Sequence, residues 1–204
     1  MTEEEKRLRS QKRWYMLYFV VLWPLARIFF PYRYHGRENI PDGPAILCPL
    51  HSSLFDPLLV SLAMGRRHFV HHVAKAELMR APLLRWIMGK AGTIFVRRGE
   101  SDIESFKKCI KTLREGEKLM IFPEGTRVHG EDRVDPKPGA VRIAANQQVP
   151  VVPVYIPRDK KLFHRMDVVF GEPYLIPKAR GTDYDALSRD LMDRIWQLGK
   201  NIHG

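Results

Sequence analysis

The fold of this chain can be read most directly from Ala45-Ile-Leu-Cys-Pro-Leu-His-Ser-Ser-Leu-Phe-Asp-Pro57. Its first four residues form an apolar run between two prolines, which is typical of a short buried strand. Pro57 has the fixed φ angle that suits the first turn of a helix, and an apolar segment as far as Met64 follows it. A buried strand that leads through a turn into a helix is the repeating unit of an α/β domain.

The same alternation continues along the chain, because short runs rich in Val, Ile and Phe are separated by segments with helical spacing of apolar residues. The predicted strands are 45–48, 69–74, 93–96, 119–122, 151–156 and 167–170. The predicted helices are 57–64, 77–90, 102–115, 139–146 and 184–202. We therefore expect one α/β domain over residues 35–204, with a central, largely buried sheet flanked by helices.

Residues 1–34 differ from the rest and are expected to form a separate, membrane-associating helical segment. A charged start is followed by ten uncharged residues rich in Trp and Tyr, 14–23, and then by Pro24 and Arg27. A span needs about 20 apolar residues, whereas Trp and Tyr favour the headgroup region. We expect an in-plane, monotopic anchor at the cytoplasmic face of a membrane. A single N-terminal span and a helix packed on its own domain remain the alternatives.

The 204 residues carry a net charge of +11, which favours an anionic partner. Nucleic acid is not expected, because the chain lacks zinc-finger spacing, a KH-type loop and the aromatic–basic pattern of an RNA-binding sheet. The densest basic cluster precedes the apolar run, so a membrane surface is the expected partner. The two cysteines form no disulfide framework, which suits a reducing compartment.

His51 and Asp56 are the first candidate catalytic pair. Histidine is the side chain best suited to take a proton near neutral pH, and a carboxylate can fix its tautomer. In an ideal helix two residues five apart point away from each other, so the pair meets only where a turn leads into a helix. In the alternative reading Asp56 is a helix N-cap and His51 an ordinary loop histidine.

The hexapeptide Phe122-Pro-Glu-Gly-Thr-Arg127 is the most specific motif in the chain. It follows a predicted strand, Pro123 ends sheet pairing, and Gly125 allows a close turn. We expect Glu124, Thr126 and Arg127 to face a cleft. The guanidinium of an arginine can grip a phosphate through its rigid fork of donors.

Four blocks in order give the chain a resemblance to the glycerolipid acyltransferase family, over about residues 35–175. His51–Asp56 resembles the family's H-x4-D motif, and 92–99 resembles its second block. Residues 122–127 resemble its third block and 149–154 its fourth.

The resemblance implies a role for each matching residue. His51 is the implied general base, Asp56 orients it, and the attack on the thioester is direct, without an acyl-enzyme. The residues themselves also argue against Cys48, Ser52 and Ser53 as covalent nucleophiles, because Cys48 belongs to an apolar strand and no Gly-x-Ser-x-Gly elbow exposes a serine. The implied substrate-binding residues are Arg98 and Arg127 for the phosphate, Glu124, Gly125 and Thr126 for the shape of the acceptor site, and Lys137 for phosphate or donor contact.

The implied reaction transfers a fatty acyl group to lysophosphatidic acid and yields phosphatidic acid. The donor is an acyl thioester of coenzyme A or of acyl carrier protein, and no cofactor is expected. No metal is expected either, because the remaining histidines lack ligand spacing. The alternatives are another lysophospholipid acceptor, a non-catalytic membrane-binding module, and a basic nucleic-acid binder.

Overall fold

The computed structural model describes residues 2–97, 102–130 and 132–203 and has an α/β architecture. Its seven-stranded sheet has the order β1-β7-β6-β2-β5-β3-β4. All neighbouring strands are parallel except β6 and β7, which are antiparallel, so the sheet is mixed. The strands are β1 (Tyr32–His35), β2 (Ile46–Pro49), β3 (Val70–Lys75), β4 (Ile94–Val96), β5 (Lys118–Met120), β6 (Val151–Tyr155) and β7 (Met166–Phe170).

Helices flank this sheet, which confirms the predicted α/β class. They are α1 (Glu3–Phe29), α2 (Asp56–Met64), α3 (Pro82–Lys90), α4 (Ile103–Arg114), α5 (Gly139–Gln147) and α6 (Tyr184–His203). The prediction of one helix over 77–90 was wrong, because a 3-10 helix at Ala76–Arg80 ends before α3 begins. The break lies at Ala81, whose φ of −86° and ψ of 109° are extended. Pro82 causes it, since proline disfavours helical backbone in the preceding residue.

Strand β1 was not predicted from the sequence. It pairs in parallel with β7, and the boundary expected between residues 34 and 35 falls inside it. Only its first residue, Tyr32, is buried, so β1 lacks the long apolar run by which the other strands were recognised. The sheet therefore begins N-terminal to the expected boundary.

The central strands supply the core. Every residue of β2 and β5 is buried, as expected where helices cover both faces of a parallel sheet. Strands β5, β2 and β6 are adjacent and parallel, so their carboxyl ends meet at one edge of the sheet. The loops that leave this edge contain the residues described below.

Helix α1 packs one face against this domain. Tyr15, Phe19 and Ala26 are buried, and the Tyr15 hydroxyl donates to the carbonyl of His68 at 3.2 Å. Thr2 and Glu5 form a capping box at the start of the helix, and Pro24 lies inside it. Within the described residues, no helix combines the length and the apolar character that a membrane crossing requires.

Candidate active site

Three neighbouring strands bring the candidate residues together. His51 follows β2, the turn at 122–127 follows β5, and a loop with Arg158 and Lys160 follows β6. In the sheet register Leu47 lies beside Met120 on one side and beside Val152 on the other. The three loops are therefore neighbours in space although they are far apart in the chain.

His51 and Asp56 are in contact, as the sequence predicted for a turn that leads into a helix. The Nδ1 of His51 lies 3.1 Å from Oδ2 of Asp56, the first residue of α2. The same oxygen accepts hydrogen bonds from the main-chain N–H groups of Ser52 and Ser53, at 2.6 and 2.7 Å. The N-cap of α2 is Phe55, so the reading of Asp56 as a simple N-cap does not hold.

This contact selects one tautomer of His51. Because the ionised carboxylate of Asp56 only accepts, the proton belongs on Nδ1, and the Nε2 lone pair can accept a further proton. The imidazole is 17% exposed, and the Phe122 ring packs against it with centroids 4.1 Å apart. The side chain is thus fixed in orientation while part of it remains exposed.

The turn after β5 wraps around the backbone of His51. Glu124 accepts a hydrogen bond from the His51 N–H at 2.7 Å, and the Val128 N–H donates to the His51 carbonyl at 2.7 Å. Gly125 has a φ of +66°, and a Cβ there would stand 3.1 Å from Cγ of Lys137, so both backbone and space favour glycine. Glu124 was expected to face the cleft, but its side chain is buried and shapes the turn from within.

Two basic residues that the sequence analysis missed complete the cluster. The guanidinium of Arg158 forms an ion pair with Glu124, and the ammonium of Lys160 lies 2.7 Å from Oδ1 of Asp56. Both side chains are almost entirely buried, at 3% and 6% exposure. No spacing in the sequence marked them, because only the pairing of β6 with β2 brings the loop after β6 beside His51.

The charges of the buried pair are set by competing effects. Burial alone would raise the pKa of Asp56, but the hydrogen bond from His51 and the Lys160 ammonium outweigh it and hold that pKa below its usual value. Burial lowers the pKa of Lys160, and Asp56 offsets this only in part. Asp56 is therefore ionised near neutral pH and able to hold the imidazole.

The predicted substrate-binding residues are only partly described. Thr126 and Arg127 are exposed beside the His51 cluster, and so is Lys137, whose N–H donates to the Pro123 carbonyl at 2.8 Å. Arg98 lies outside the described residues. Arg97, which precedes it, is exposed and borders a cavity of about 940 Å³ near the N-terminus of α1 and α4.

The candidate nucleophiles are occupied or inert. Cys48 is buried in β2, and burial raises the pKa of its thiol. The Ser52 hydroxyl donates to the Arg158 carbonyl at 3.0 Å and accepts from Lys160 at 2.7 Å. Neither side chain is therefore prepared for attack on a substrate.

Comparison with known proteins places these residues in a family. The family model described as Acyltransferase matches residues 31–157. A 1-acyl-sn-glycerol-3-phosphate acyltransferase from Bacillus subtilis is 34% identical over 146 residues, which are 68% of this chain and 71% of that protein. A chloroplastic 1-acyl-sn-glycerol-3-phosphate acyltransferase from Brassica napus is 31% identical over 140 residues, 65% of this chain and 40% of the relative.

A further relative resembles the chain in sequence, and a solved structure resembles it in fold. A lyso-ornithine lipid O-acyltransferase from Pseudomonas aeruginosa is 36% identical over 113 residues, 53% of this chain and 42% of the relative. The chain thus spans less than half the length of the Brassica and Pseudomonas relatives. The crystal structure of the 1-acyl-sn-glycerophosphate acyltransferase from Thermotoga maritima superposes with a TM-score of 0.69 over 100% of this chain and 84% of that one. At 24% identity this likeness concerns the fold alone.

The family match covers more than half of the chain and contains both the His51–Asp56 turn and the turn at 122–127. On this match, and on the Bacillus relative, the chain belongs to the acyltransferase family.

Proposed function

We propose that this protein transfers a fatty acyl group from an acyl thioester to the free hydroxyl of 1-acyl-sn-glycerol 3-phosphate, forming phosphatidic acid. The observation that carries the proposal is the fixed imidazole of His51 beside a turn that ends in the exposed Arg127. This arrangement suits an acceptor that has both a hydroxyl and a phosphate. The Bacillus and Brassica relatives, both named as 1-acyl-sn-glycerol-3-phosphate acyltransferases, support that acceptor.

The mechanism needs only the chain's own side chains. Nε2 of His51 takes the proton of the acceptor hydroxyl as its oxygen forms a bond to the thioester carbonyl carbon. The C–S bond then breaks, and the imidazolium returns the proton to the departing thiolate sulfur. Asp56 keeps the ring in place and stabilises its transient positive charge, as the carboxylate does in other His-centred sites. No acyl-enzyme and no cofactor take part.

Exposed cations beside the base would hold the acceptor. We assign the phosphate to Arg127 and to Arg98, and a secondary phosphate or donor contact to Lys137. Gly125 and Thr126 would form the wall against which the acceptor lies. Glu124 would support that wall without contacting the acceptor, because its carboxylate pairs with Arg158 and accepts a hydrogen bond from the His51 N–H.

The donor is proposed to be a thioester of coenzyme A or of acyl carrier protein. Both carriers are phosphorylated, and the +11 charge of the chain favours their approach.

We further propose that residues 1–34 hold the enzyme in the interface at the cytoplasmic face of a membrane. The outward face of α1 exposes apolar side chains at helical spacing, namely Leu17, Val20, Val21, Leu25 and Ile28. We refer to these five residues as the apolar face of α1. An in-plane helix with such a face lies at the boundary between headgroups and acyl chains.

The apolar face of α1 continues toward the candidate site. The Phe30 ring lies 5.9 Å from that of Phe55, which directly precedes Asp56, and the Phe29 ring lies 5.6 Å from that of Phe163. Phe55 and Phe163 are both more than half exposed. An acyl chain could thus pass from lipid to the His51 cluster without crossing water, where each exposed methylene costs about 0.8 kcal/mol.

The proposal is tested by following thiol release from acyl-coenzyme A and from acyl carrier protein with purified protein and a panel of lysolipids. We expect the highest rate with lysophosphatidic acid and phosphatidic acid as the product. Absence of thiol release with every lysolipid and both donors would refute the activity.

A second acceptor is favoured by one observation. The Pseudomonas relative is named for a lyso-ornithine lipid rather than for a phosphorylated acceptor, and it is 36% identical over its match. Lyso-ornithine lipid therefore belongs in the panel, together with lysophospholipids that carry a headgroup. Faster thiol release with any of these than with lysophosphatidic acid would reassign the acceptor and leave the chemistry in place.

A further inference from the structure

The carboxylate of Asp56 has a separate partner for each oxygen. Oδ2 accepts from the His51 ring and from two main-chain N–H groups, whereas Oδ1 lies 2.7 Å from the ammonium of Lys160. Asp56 is 0% exposed and Lys160 is 6% exposed at the side chain, so water screens this ion pair little. The positive charge of Lys160 therefore acts strongly on Asp56, the residue that orients the imidazole of His51.

Burial of a lysine in this position opposes folding. Removing an ammonium from water is unfavourable, and a buried ion pair is often no more stable than apolar residues of similar volume. Packing alone therefore gives a weak reason for a lysine here. Its contact with the partner of the candidate base points to a role in the reaction.

Lys160 also connects two of the loops that form the site. Its ammonium donates to the Ser52 hydroxyl at 2.7 Å, and that hydroxyl donates to the carbonyl of Arg158 at 3.0 Å. The turn after β2 is thereby tied to the loop after β6. Movement of this loop would change the direction in which Asp56 presents Oδ2 to His51.

We propose that Lys160 is a positioning residue that acts on His51 through Asp56, an inference that rests on the proposed function of His51 as the base. It keeps the carboxylate ionised and oriented. Its ammonium also offsets part of the negative charge that Asp56 places beside the ring. The residue lies beyond the stretch that the family model matches.

The test compares Lys160→Met with Lys160→Arg and with Lys161→Met, a matched change of the exposed neighbouring lysine. We expect Lys160→Met to lower kcat by about 10- to 100-fold, the range that follows the loss of a hydrogen-bond partner that orients a metal-binding histidine. KM for the acceptor should change little. Loss of a nearby cation should move the acid limb of the pH–rate profile to higher pH, because the cation opposes a positive charge on the ring. Lys160→Arg should return the limb toward the wild-type position, and Lys161→Met should match the wild type throughout.

A second measurement does not depend on turnover. The ¹⁵N-NMR titration of the His51 ring should have its midpoint at higher pH in Lys160→Met than in the wild type, because the cation disfavours the imidazolium. An unchanged midpoint and an unchanged kcat would overturn the proposal. Wild-type protein that releases no thiol from any acyl thioester would instead refute the proposed function itself.

A double substitution covers the case in which Lys160→Met does not fold. Asp56→Asn combined with Lys160→Met leaves no unpaired charge buried, and its kcat should equal that of Asp56→Asn alone. This non-additivity is expected of residues that act in series. A further tenfold loss in the double variant would show that Lys160 acts independently of Asp56 and would overturn the inference.

Discussion

The main-chain N–H of His51 donates a hydrogen bond to the carboxylate of Glu124 across 2.7 Å, and it joins residues that are 73 positions apart in the chain. Glu124 is in turn buried and paired with Arg158. The turn after β2 and the turn after β5 are therefore held together. Glu124 holds His51 through its main chain, and Asp56 holds it through its ring.

Loss of the ring should remove the base. We expect His51→Ala to lower kcat by roughly 10²- to 10⁴-fold, the range that general-base catalysis supplies. The measurement is thiol release at saturating acceptor, with thermal unfolding as the check on folding. His164→Ala, at an exposed histidine, is the control and should keep wild-type turnover. Retention of most activity in His51→Ala would exclude general-base catalysis by this residue.

Arg127 should act on binding more than on chemistry. A charge-assisted hydrogen bond contributes about 1.5–3 kcal/mol, so Arg127→Ala should raise KM for lysophosphatidic acid by roughly 10- to 100-fold. We expect a much smaller change in kcat, measured with acceptor concentration varied at fixed donor. Arg180→Ala, at another exposed arginine, is the control. An unchanged KM would place the phosphate elsewhere.

Glu124 should be needed for stability as well as for activity. Glu124→Gln keeps an acceptor for the His51 N–H but leaves the buried Arg158 without its counter-ion. Breaking such a pair from one side costs about 3–5 kcal/mol, so we expect a matching fall in the free energy of unfolding in urea. Glu172→Gln, at an exposed glutamate, should change it little. A stable Glu124→Gln protein with normal turnover would contradict the role of this ion pair.

The lowered pKa of Asp56 predicts a dependence of stability on pH. A carboxyl whose pKa is lower in the folded state stabilises the protein above its unfolded pKa of about 3.9, and the contribution disappears as the pH falls through the folded value. The difference in unfolding free energy between the wild type and Asp56→Asn should therefore shrink as the pH falls below about pH 4. Urea unfolding of both proteins across this range is the measurement. A difference that does not vary with pH would contradict it.

The apolar face of α1 should control membrane association. Val20→Glu and Ile28→Glu change residues that are 58% and 59% exposed, so the fold should persist. We expect both variants to sediment less with vesicles that contain phosphatidylglycerol, because a charge opposes burial of the helix in the interface. Leu175→Glu, at 60% exposure in the loop after β7, is the control. Equal sedimentation of all four proteins would refute the anchor.

The main elements were predictable because their patterns are local. Pro57 lies in the first turn of α2 as expected, and the apolar runs that became β2 and β6 were recognised to within one residue. Pro82 indicates a helix boundary at Ala81. The break was nevertheless missed, because the helical spacing of apolar residues continues across it. Strand β1 was missed since an edge strand with one buried residue has no apolar run.

Residues of the candidate site were predictable where they lie close together in the sequence. They were missed where only the strand order of the sheet brings them together. His51 and Asp56 are five residues apart, and their contact followed from the turn between them. Arg158 and Lys160 are more than 100 positions from that turn. Their proximity depends on the pairing of β2 with β6, which no spacing in the sequence specifies.

The ion pairs at the end of β6 make the chain sensitive to loop length. Arg158 and Lys160 lie three and five residues after Tyr155, the last residue of β6, and this distance along the chain fixes where their side chains lie. One inserted residue would therefore displace both cations by up to about 3.3 Å. That displacement exceeds the tolerance of a hydrogen bond. A library that seeks new acceptor preferences should accordingly keep the length of 156–160 fixed and diversify the exposed Asp159 between the two cations.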